Sequence, residues 1–415
     1  MLRHSIAPRP DWQTRVEAVG LTYHSPESMA PRTYWDESAC YEFTAAEIDT
    51  LEAAANAMQE MCLAAAQHVI DRKRYAELEI PAEAVPVIEA AWNAEPPALY
   101  GRFDFSWAGA QSGKPPKLLE YNADTPTSLL EAAVVQWHWL EEVSPALAAA
   151  SHSAKPDQFN SIHERLIAKW KDIAPCLNVP VYFAGTGEPE DILTLVYLQD
   201  TAQQAGLSTQ PIAMLDIGWN PDRNAFLDLN ENRIDSIFKL YPWESMMAEQ
   251  FAANALATYR DMRWIEPIWK MLLSNKGILP ILWELYPNHP NLLAAYFDTG
   301  TNPGAPGLAS ETWVSADSAS GLRDYVRKPL HSREGANITL VRNNSTVVST
   351  DGPYDGARIL QALAPEAVFN DAEGQPRYPV LGLWTIDQEC GGMGIRESTG
   401  PITDNLSSFV PHFFR

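Results

Sequence analysis

The chain has 415 residues, of which 46% are hydrophobic and 20% are charged, and its 30 basic and 53 acidic side chains give a formal net charge of −23. This balance is typical of a folded globular protein and excludes a disordered chain. The acidic excess argues against general nucleic-acid binding, because a phosphate backbone requires a basic face. A solvated acidic surface explains the charge, and such a surface also attracts cationic small molecules.

The amino-terminal residues, the lengths of the apolar stretches and the cysteines argue against secreted, membrane-spanning and cysteine-metal proteins. The amino-terminal residues lack the apolar core of a signal peptide, and no apolar stretch reaches the roughly 18 residues that cross a membrane. We therefore expect no membrane partner and a cytoplasmic location. The four cysteines contain no CxxC pair, which argues against a cysteine zinc or redox site and favours buried apolar positions.

Residues 44–74 predict a long helix. Thr44 and Glu47 have the spacing of a capping box, in which each side chain accepts a hydrogen bond from the other residue's backbone N–H. Apolar residues then recur at three- and four-residue steps from Ile48 to Val69, which predicts one buried face. We interpret this helix as scaffold.

Two segments that follow predict a pair of antiparallel strands. Residues 99–107 alternate between polar and aromatic side chains, and residues 117–122 resume after a loop rich in Gly and Pro. The second strand is predicted to place Leu118 on the same face as its polar residues. The pair would then bring four polar side chains to one place: Arg102, Asp104, Glu120 and Asn122.

The middle of the chain is predicted to alternate helix and strand. Ser128 and Glu131 are interpreted as a second capping box that opens a helix to about Glu142. The further elements predicted are a strand at 181–185, a helix at 190–205, a strand at 211–215, and a largely helical region at 243–273 with a break at Pro267.

Residues 298–321 are rich in Gly, Pro and Ser and predict a long surface loop. Beyond this loop the pattern predicts mainly strands, at 323–330, 337–342, 345–350, 378–386 and 389–396. We therefore assign the chain to the α+β class, with mixed sheets and flanking helices.

The polar side chains of the first strand pair suggest a metal site. Two carboxylates and an amide, from Asp104, Glu120 and Asn122, offer the oxygen ligands that Mg²⁺ prefers, and Arg102 beside them would complete a phosphoryl site. A polar sheet surface with cross-strand ion pairs explains the same pattern equally well. Spacing alone leaves both interpretations open.

Three further motifs carry weaker signals. Lys328 ends a predicted strand and precedes a loop whose N–H groups would suit a phosphate, although an ordinary hairpin turn fits too. Lys276 precedes an apolar segment, as many surface lysines do. Arg396 follows three nearby glycines, which are typical either of a close backbone approach or of a β-turn.

Taken in chain order, these segments resemble the synthetase domain of the glutathionylspermidine synthase family. The resembling stretches span nearly the whole chain: GRFDFSW, KLLEYNADTPTSLLEA, FKLYPWE, NKGILPILWE, KPLHSREGANI, GGMGIRE and ITDNLSSFVPHFF. The string EYNADTPTSL is long and specific. This chain is most similar to the amidase-free branch of acid–amine ligases.

The resemblance implies an ATP-grasp-like fold over residues 1–415, with mixed and antiparallel sheets and a lid subdomain, the ATP-binding part lying at about 260–396. It implies a ligase that uses ATP and Mg²⁺ to phosphorylate a small-molecule carboxylate. An amine, with a polyamine as the candidate, then attacks the acyl phosphate to form an amide. The oligomeric state stays open.

The family's functional residues carry over position by position. Its magnesium ligands match Asp104, Glu120 and Asn122, and its arginines at the reacting phosphoryl and carboxylate groups match Arg102 and Arg396. The positions that match ATP-binding residues are Lys276, Lys328, Glu334, Gly335, Gln361 and Leu363. The positions that match substrate-binding residues are Glu190 and Asp191 for the amine, and Thr125 and Ser128 for the acid.

Three departures limit what the resemblance implies about substrates. The chain leaves no room for the amidase domain of bifunctional members, so amide hydrolysis is not expected. The Ser/Cys-rich stretch that holds glutathione is replaced by Thr-Pro-Thr-Ser at 125–128, and a threonine of the family pattern is Leu240 here. Glutathione is therefore not assigned as the acid.

Alternatives remain at the level of the sequence. Acidic residues at 190 and 191 also suit an ordinary helix N-terminus. A catalytically silent protein that binds ATP or polyamine, and a ligase that acts on a protein carboxylate, would each use the same motifs.

Overall fold

The computed structural model describes residues 1–151, 155–298, 313–314 and 321–415. The loop predicted at 298–321 lies outside these residues except at its two ends and at 313–314. Among the described residues, none of the helices is long and apolar enough to cross a membrane.

The helices bury their apolar stripes against the sheets. Their bounds are Trp12–Ala18 (α1), Ala45–Arg72 (α2), Val85–Ala94 (α3), Gln136–Ser151 (α4), Ile162–Ile173 (α5), Pro189–Gln204 (α6), Trp243–Met247 (α7), Ala252–Ala257 (α8) and Ile278–Leu285 (α9). The long helix predicted at 44–74 is confirmed as α2. Thr44 and Glu47 form the predicted capping box at its start, which satisfies N–H groups that a helix end otherwise leaves free.

The strands are mostly short. They are Leu2–Ser5 (β1), Ala39–Phe43 (β2), Tyr100–Ser106 (β3), Lys117–Asn122 (β4), Val181–Gly185 (β5), Thr209–Ala213 (β6), Gly218–Asn220 (β7), Ala225–Leu227 (β8), Ser236–Leu240 (β9), Arg263–Ile265 (β10), Ala295–Asp298 (β11), Trp313–Val314 (β12), Tyr325–Pro329 (β13), Thr339–Arg342 (β14), Ser345–Ser349 (β15), Arg358–Ala362 (β16), Phe369–Asn370 (β17), Pro376–Ile386 (β18), Glu389–Ser398 (β19), Ser408–Phe409 (β20) and His412–Phe414 (β21). The described residues thus form the mixed α+β architecture that the sequence predicts.

The longest strands form a central sheet, in which the order β20-β19-β18-β3-β4 is antiparallel throughout and β17 pairs with β18. The aromatic side chains of Phe103 and Phe105 are fully buried and share one core cluster with the apolar face of α2. The helix therefore covers one face of this sheet, and the polar side chains of β3 and β4 are left on the other face.

A second sheet faces the polar side of the central sheet. Its order is β12-β11-β16-β13-β14-β15, and we call it the opposing sheet. A third sheet, β10-β9-β5-β6, is parallel and packs against α5 and α6. β2 pairs with β1 on one side and with β21 on the other, which joins the two ends of the chain.

The helical region predicted at 243–273 is only partly correct. Two short helices, α7 and α8, are followed by β10, where Trp264 and Ile265 are buried beside β9. This segment is therefore a strand, and its successive side chains Trp264 and Ile265 enter different core clusters on opposite faces of the sheet. Pro267 precedes a 3₁₀ turn at Ile268–Leu272.

Candidate functional site

A cavity of about 460 Å³ lies between the central and opposing sheets, within the size range of small-molecule sites. All fifteen residues singled out in the sequence line it: Arg102, Asp104, Glu120, Asn122, Thr125, Ser128, Glu190, Asp191, Lys276, Lys328, Glu334, Gly335, Gln361, Leu363 and Arg396. The structure therefore brings together side chains that are up to 294 positions apart in the chain, since 396 − 102 = 294.

The register of β3 and β4 sets the floor of the cavity. Asp104 lies opposite Glu120, and Arg102 lies opposite Asn122. A bulge follows Asp104, so that the next paired residue on β4 is Leu118 rather than Leu119. The prediction that Leu118 shares the polar face is therefore wrong. The extra residue turns Leu118 into the core and leaves Leu119 at the cavity.

Asp104 is the most tightly held carboxylate of this floor. Arg102 donates to both of its oxygens, at 2.7 and 3.0 Å, and the amide of Asn122 donates to it at 3.0 Å. Burial raises the pKa of Asp104, although Arg102 opposes the change. The Arg102 guanidinium also lies 5.6 Å from the ring centre of Trp384 and donates to the Thr127 carbonyl, which fixes its orientation.

Two lysines reach the same floor. Lys276 pairs with Glu120 at 2.8 Å and also donates to the carbonyl of Ser332. Lys328 donates to the side-chain oxygen of Gln361 at 2.7 Å and to the Leu119 carbonyl at 3.2 Å. Gln361 is itself buried and donates to the Leu118 carbonyl, so its amide holds Lys328 in place.

Burial and charge set the ionisation of this floor. Burial alone would raise the pKa of Glu120, but Lys276, Lys328 and Arg102 outweigh it and hold the pKa at about 2. Burial lowers the pKa of Lys328 to about 8 in spite of Glu120. Glu120 is therefore ionised and Lys328 is mostly protonated at neutral pH. The floor places three basic side chains beside two acidic ones, and this basic surplus suits a polyphosphate.

The cavity floor offers oxygen donors that could hold a magnesium ion. Within the described ranges, no three His, Cys, Asp or Glu side chains converge in a way that could hold a metal. The oxygens of Asp104, Glu120 and Asn122 nevertheless lie on paired strands at one place. Oxygen-only donors fit Mg²⁺, which commonly completes its octahedron with water and substrate phosphates. The residues present therefore fit this ion.

The loop after β13 lies across the cavity. Glu334 accepts a hydrogen bond from Asn405 at 3.0 Å, and Gly335 has a φ of +70°. A Cβ at Gly335 would lie 2.5 Å from the carbonyl oxygen of Thr403. Only glycine fits this contact between the loop and the carboxy-terminal segment.

Arg333 in this loop was not singled out in the sequence. It donates to the Thr125 hydroxyl at 2.9 Å and to Glu244 at 2.6 Å, so it ties the loop to the end of β4 and to α7. The one feature of the sequence that could have indicated a functional role for Arg333 is its position between Lys328 and Gly335, within the stretch KPLHSREGANI. The pattern gave no way to tell it from an ordinary surface arginine.

The far end of the cavity is built around Ser128. Its hydroxyl lies 2.9 Å from the Tyr34 hydroxyl and 3.3 Å from Glu190, and Arg396 donates to it at 3.3 Å. Glu190 lies 3.7 Å from Arg396. Asp191 accepts from Thr186 at 2.6 Å, and burial raises its pKa.

The capping box predicted at Ser128 and Glu131 is wrong. Ser128 has a φ of +67° and its side chain faces the cavity, and the helix that begins at Leu129 continues with a π-helical turn at Glu131–Val135. Glu131 is buried and accepts from the Tyr34 hydroxyl at 2.6 Å. The long-range partner Tyr34 replaces the local backbone partner that a capping box requires.

Several known proteins are similar to this chain. Residues 3–415 match the family model described as glutathionylspermidine synthase preATP-grasp. A protein of Haemophilus influenzae, provisionally named an acid–amine ligase, is 37% identical over 98% of this chain and 97% of its own length.

More distant relatives are longer. Trypanothione synthetase of Crithidia fasciculata is 27% identical over 84% of this chain and 52% of its own length. The bifunctional glutathionylspermidine synthetase/amidase of Escherichia coli is 25% identical over 89% of this chain and 58% of its own length. The match therefore spans little more than half of either relative.

A solved structure shares the fold. The apo form of a glutathione synthetase-like effector from Globodera pallida superposes with a TM-score of 0.56, covering 98% of this chain and 96% of the effector, at 9% sequence identity.

Proposed function

The chain belongs to the glutathionylspermidine synthase family, and we propose that it is an ATP- and Mg²⁺-dependent ligase that joins a carboxylate to an amine through an acyl phosphate. Its relatives are named as amide-forming ligases and synthetases. The observation that carries the proposal is the convergence of Arg102, Lys276 and Lys328 on the carboxylates of Asp104 and Glu120 in one cavity.

In this proposal ATP lies between the two sheets, with the opposing sheet and the loop after β13 acting as the lid of an ATP-grasp fold. Lys276 and Lys328 hold the phosphates as point charges. Leu363 lines the cavity just beyond β16, where the adenine would pack. Gln361 acts through Lys328, because its amide oxygen accepts from that lysine. Glu334 and Gly335 close over the nucleotide.

The reaction then follows from where charge accumulates. A carboxylate oxygen attacks the γ-phosphorus of ATP, the bond to the β-phosphate oxygen breaks, and ADP leaves. Arg102, oriented by Asp104 and Trp384, stabilises the charge on the transferring phosphoryl group. The amine nitrogen next attacks the acyl carbon, and inorganic phosphate leaves with the loss of a proton from nitrogen.

Asp104, Glu120 and Asn122 would hold Mg²⁺, which neutralises phosphate charge when bound. Asp104 and Glu120 are suited to this role because both lie beside cations that favour the ionised form. Arg102, which donates to both oxygens of Asp104, would lie beside these ligands.

The far end of the cavity takes the other two substrates in this proposal. Arg396 holds the reacting carboxylate beside Ser128 and Thr125, and Glu190 and Asp191 attract a cationic amine such as a polyamine. The support is the charge pattern, in which Glu190 lies 3.7 Å from Arg396. Leu240 also lines the cavity, so an apolar surface stands beside the acid site.

The test is release of ADP and phosphate from Mg-ATP with a matrix of acids and amines that includes glutathione with spermidine. We expect release that requires both an acid and an amine, together with the mass of the amide. ATP binding without such release across the matrix would contradict the proposal in favour of a silent binder. A mass gain on an added protein would instead identify a macromolecular acceptor.

Variants locate the chemistry. Asp104→Asn and Glu120→Ala should abolish ATP turnover while the melting temperature stays within a few degrees of the wild type. Asp172→Ala serves as control, because it removes an exposed carboxylate that pairs with Lys169. Turnover that survives both cavity changes would overturn the assigned roles.

A further inference from the structure

A buried carboxyl behind the cavity is connected to it by a chain of hydroxyl groups. Glu131 is 1% exposed and Tyr34 is fully buried. The Tyr34 hydroxyl lies 2.6 Å from Glu131 and 2.9 Å from the hydroxyl of Ser128, which lies 3.3 Å from Glu190. Ser128 and Glu190 line the cavity. The chain Glu190–Ser128–Tyr34–Glu131 therefore leads from the amine end of the cavity into the protein.

The direction of these hydrogen bonds depends on where one proton lies. With Glu131 ionised, Tyr34 donates to Glu131 and Ser128 donates to Tyr34. With Glu131 protonated, it donates to Tyr34, Tyr34 donates to Ser128, and Ser128 donates to Glu190. Each hydroxyl has one donor and can accept as well, so both arrangements satisfy every group.

From this geometry we propose that Glu131 is the terminal proton acceptor of a relay that removes the proton lost by the amine during amide formation. The inference rests on the ligase function proposed above. Ser128 and Glu190 touch the cavity, whereas Glu131 and Tyr34 act through them as positioning residues.

The proton balance closes over one cycle. A cationic alkyl amine loses two protons as it becomes an amide nitrogen. One passes to Glu190, which frees the lone pair that attacks the acyl carbon, and the other leaves with the phosphate as hydrogen phosphate. Glu190 passes a proton to Ser128, Ser128 passes its own to Tyr34, and Tyr34 passes its own to Glu131. Glu190 is then ionised again and Glu131 is neutral. After the amide leaves, the reverse transfers return the proton to water in the cavity.

The groups that face Glu131 give its carboxyl a pKa that suits a proton acceptor at neutral pH. Burial and, to a smaller extent, Glu190 raise the pKa of Glu131, Tyr34 and Arg396 lower it, and the result is a pKa of about 7. Burial also raises the pKa of Tyr34. The phenol therefore does not stay ionised, and it passes its own proton to Glu131 only as it accepts another from Ser128. The π-helical turn at Glu131–Val135 is a rare form that is often found at functional sites.

The experiment uses three variants of the full chain. Tyr34→Phe breaks the chain of hydroxyls, and Glu131→Gln removes the acceptor with little change in shape. Tyr182→Phe is the control, because Tyr182 is equally buried and its hydroxyl also donates to a carboxylate, Asp228, at 3.0 Å. Each variant is assayed with the acid found in the matrix and with two nucleophiles, the alkyl amine found there and hydroxylamine.

Hydroxylamine separates the relay from the earlier step. It is unprotonated at neutral pH and traps the acyl phosphate without help from a base. We expect Tyr34→Phe and Glu131→Gln to lose amide formation with the alkyl amine by roughly 10²-fold, the lower end of general acid–base effects. Hydroxamate formation should stay within about twofold of the wild type, and higher pH should partly rescue the amine reaction.

The outcomes are distinct. Variants that match the wild type with both nucleophiles, or that lose both reactions equally, would overturn the relay and leave the ligase proposal standing. A wild-type chain that forms neither amide nor hydroxamate with any acid would overturn the proposed function and the relay with it. An infrared pH titration adds an independent measurement, since a protonated carboxyl that titrates near neutrality should disappear in Glu131→Gln.

Discussion

Individual side chains at this cavity owe their charge to burial as much as to their chemical type. Lys328 is 9% exposed, and its pKa of about 8 lies well below the usual value of 10.5. The lysine is therefore a cation at neutral pH that loses its charge in mildly alkaline solution. An arginine at the same position would keep its charge throughout.

The first prediction concerns the affinity for nucleotide as a function of pH. Because a neutral Lys328 attracts phosphate less, wild-type affinity for a nonhydrolysable ATP analogue should fall as the pH rises through 8. Calorimetry at pH 7 and pH 9 measures this fall. Lys328→Met should bind about tenfold or more weakly at pH 7, a loss near 1.4 kcal/mol.

Lys169→Met is the matched control, because Lys169 pairs with Asp172 and Asp387 rather than with cavity residues. Its affinity should equal that of the wild type at both pH values. A pH-independent affinity in the wild-type chain would contradict the assigned role of Lys328.

The second prediction concerns the stability cost of Glu131. Its pKa in the folded chain is about 7 against an ordinary value of 4.5, so the folded state binds more protons between these pH values. The free energy of unfolding should therefore fall as the pH rises from 4.5 to 7. Glu131→Gln carries no titrating proton, so it should equal the wild type at pH 4.5 and exceed it at pH 8 by at most about 3 kcal/mol.

Urea unfolding at the two pH values checks this difference. A variant that is less stable than the wild type at pH 8 would show that the ionised Glu131 stabilises the fold, contrary to the effect of its burial.

At the scale of elements, the sequence predicts what is local and misses what depends on distant partners. The capping box of α2 and the alternation along β3 are local patterns, and the structure confirms both. The bulge beside Leu119 arises from pairing with β3 and leaves no sign in composition. Ser128 has the residue type of a helix cap, but Tyr34, 94 positions away, fixes its conformation.

The candidate site shows the same division. The fifteen residues could be named from the sequence because the resemblance to a family supplied their positions. Spacing alone left a metal site and a plain polar surface equally open. Arg333 and Tyr34 could not be predicted, because their contacts to Glu244 and Glu131 join segments that are not neighbours in the chain.

The third prediction concerns the loop after β13. Gly335→Ala would place a methyl group 2.5 Å from the carbonyl oxygen of Thr403 and would strain a φ of +70°. The loop should then close poorly over nucleotide, and affinity for the ATP analogue should fall by about tenfold, a cost typical of a strained backbone position.

Gly374→Ala is the control for conformation alone. Its φ of +78° imposes a similar strain, but a Cβ there meets nothing within 4 Å. Binding should be unchanged in this variant. Equal losses in both would indicate a general effect of strain rather than a contact between the loop and Thr403.

At the scale of the molecule, the cavity is assembled from segments that lie far apart in the chain. β18 and β19 follow the opposing sheet in sequence but belong to the central sheet, where β18 pairs with β3 and β19 pairs with β18. The chain thus leaves the central sheet after β4 and returns to it at β18. The central and opposing sheets, which form the two walls of the cavity, are therefore connected. Contacts across the cavity opening then determine how firmly the loop after β13 is held against the central sheet.

Arg333 makes such a contact, and it is the subject of the last prediction. Its bonds to Thr125 and Glu244 join the opposing sheet's loop to the segment after β4 and to α7. Because Arg333→Gln and Glu244→Gln remove the same ion pair, their effects on loop opening should not add, and the coupling energy should be about 1 kcal/mol. Hydrogen exchange of residues 330–338 measures the opening. Additive effects would show that Arg333 is held mainly by Thr125, and exchange that matches the wild type in both single variants would show that the loop closes without this pair.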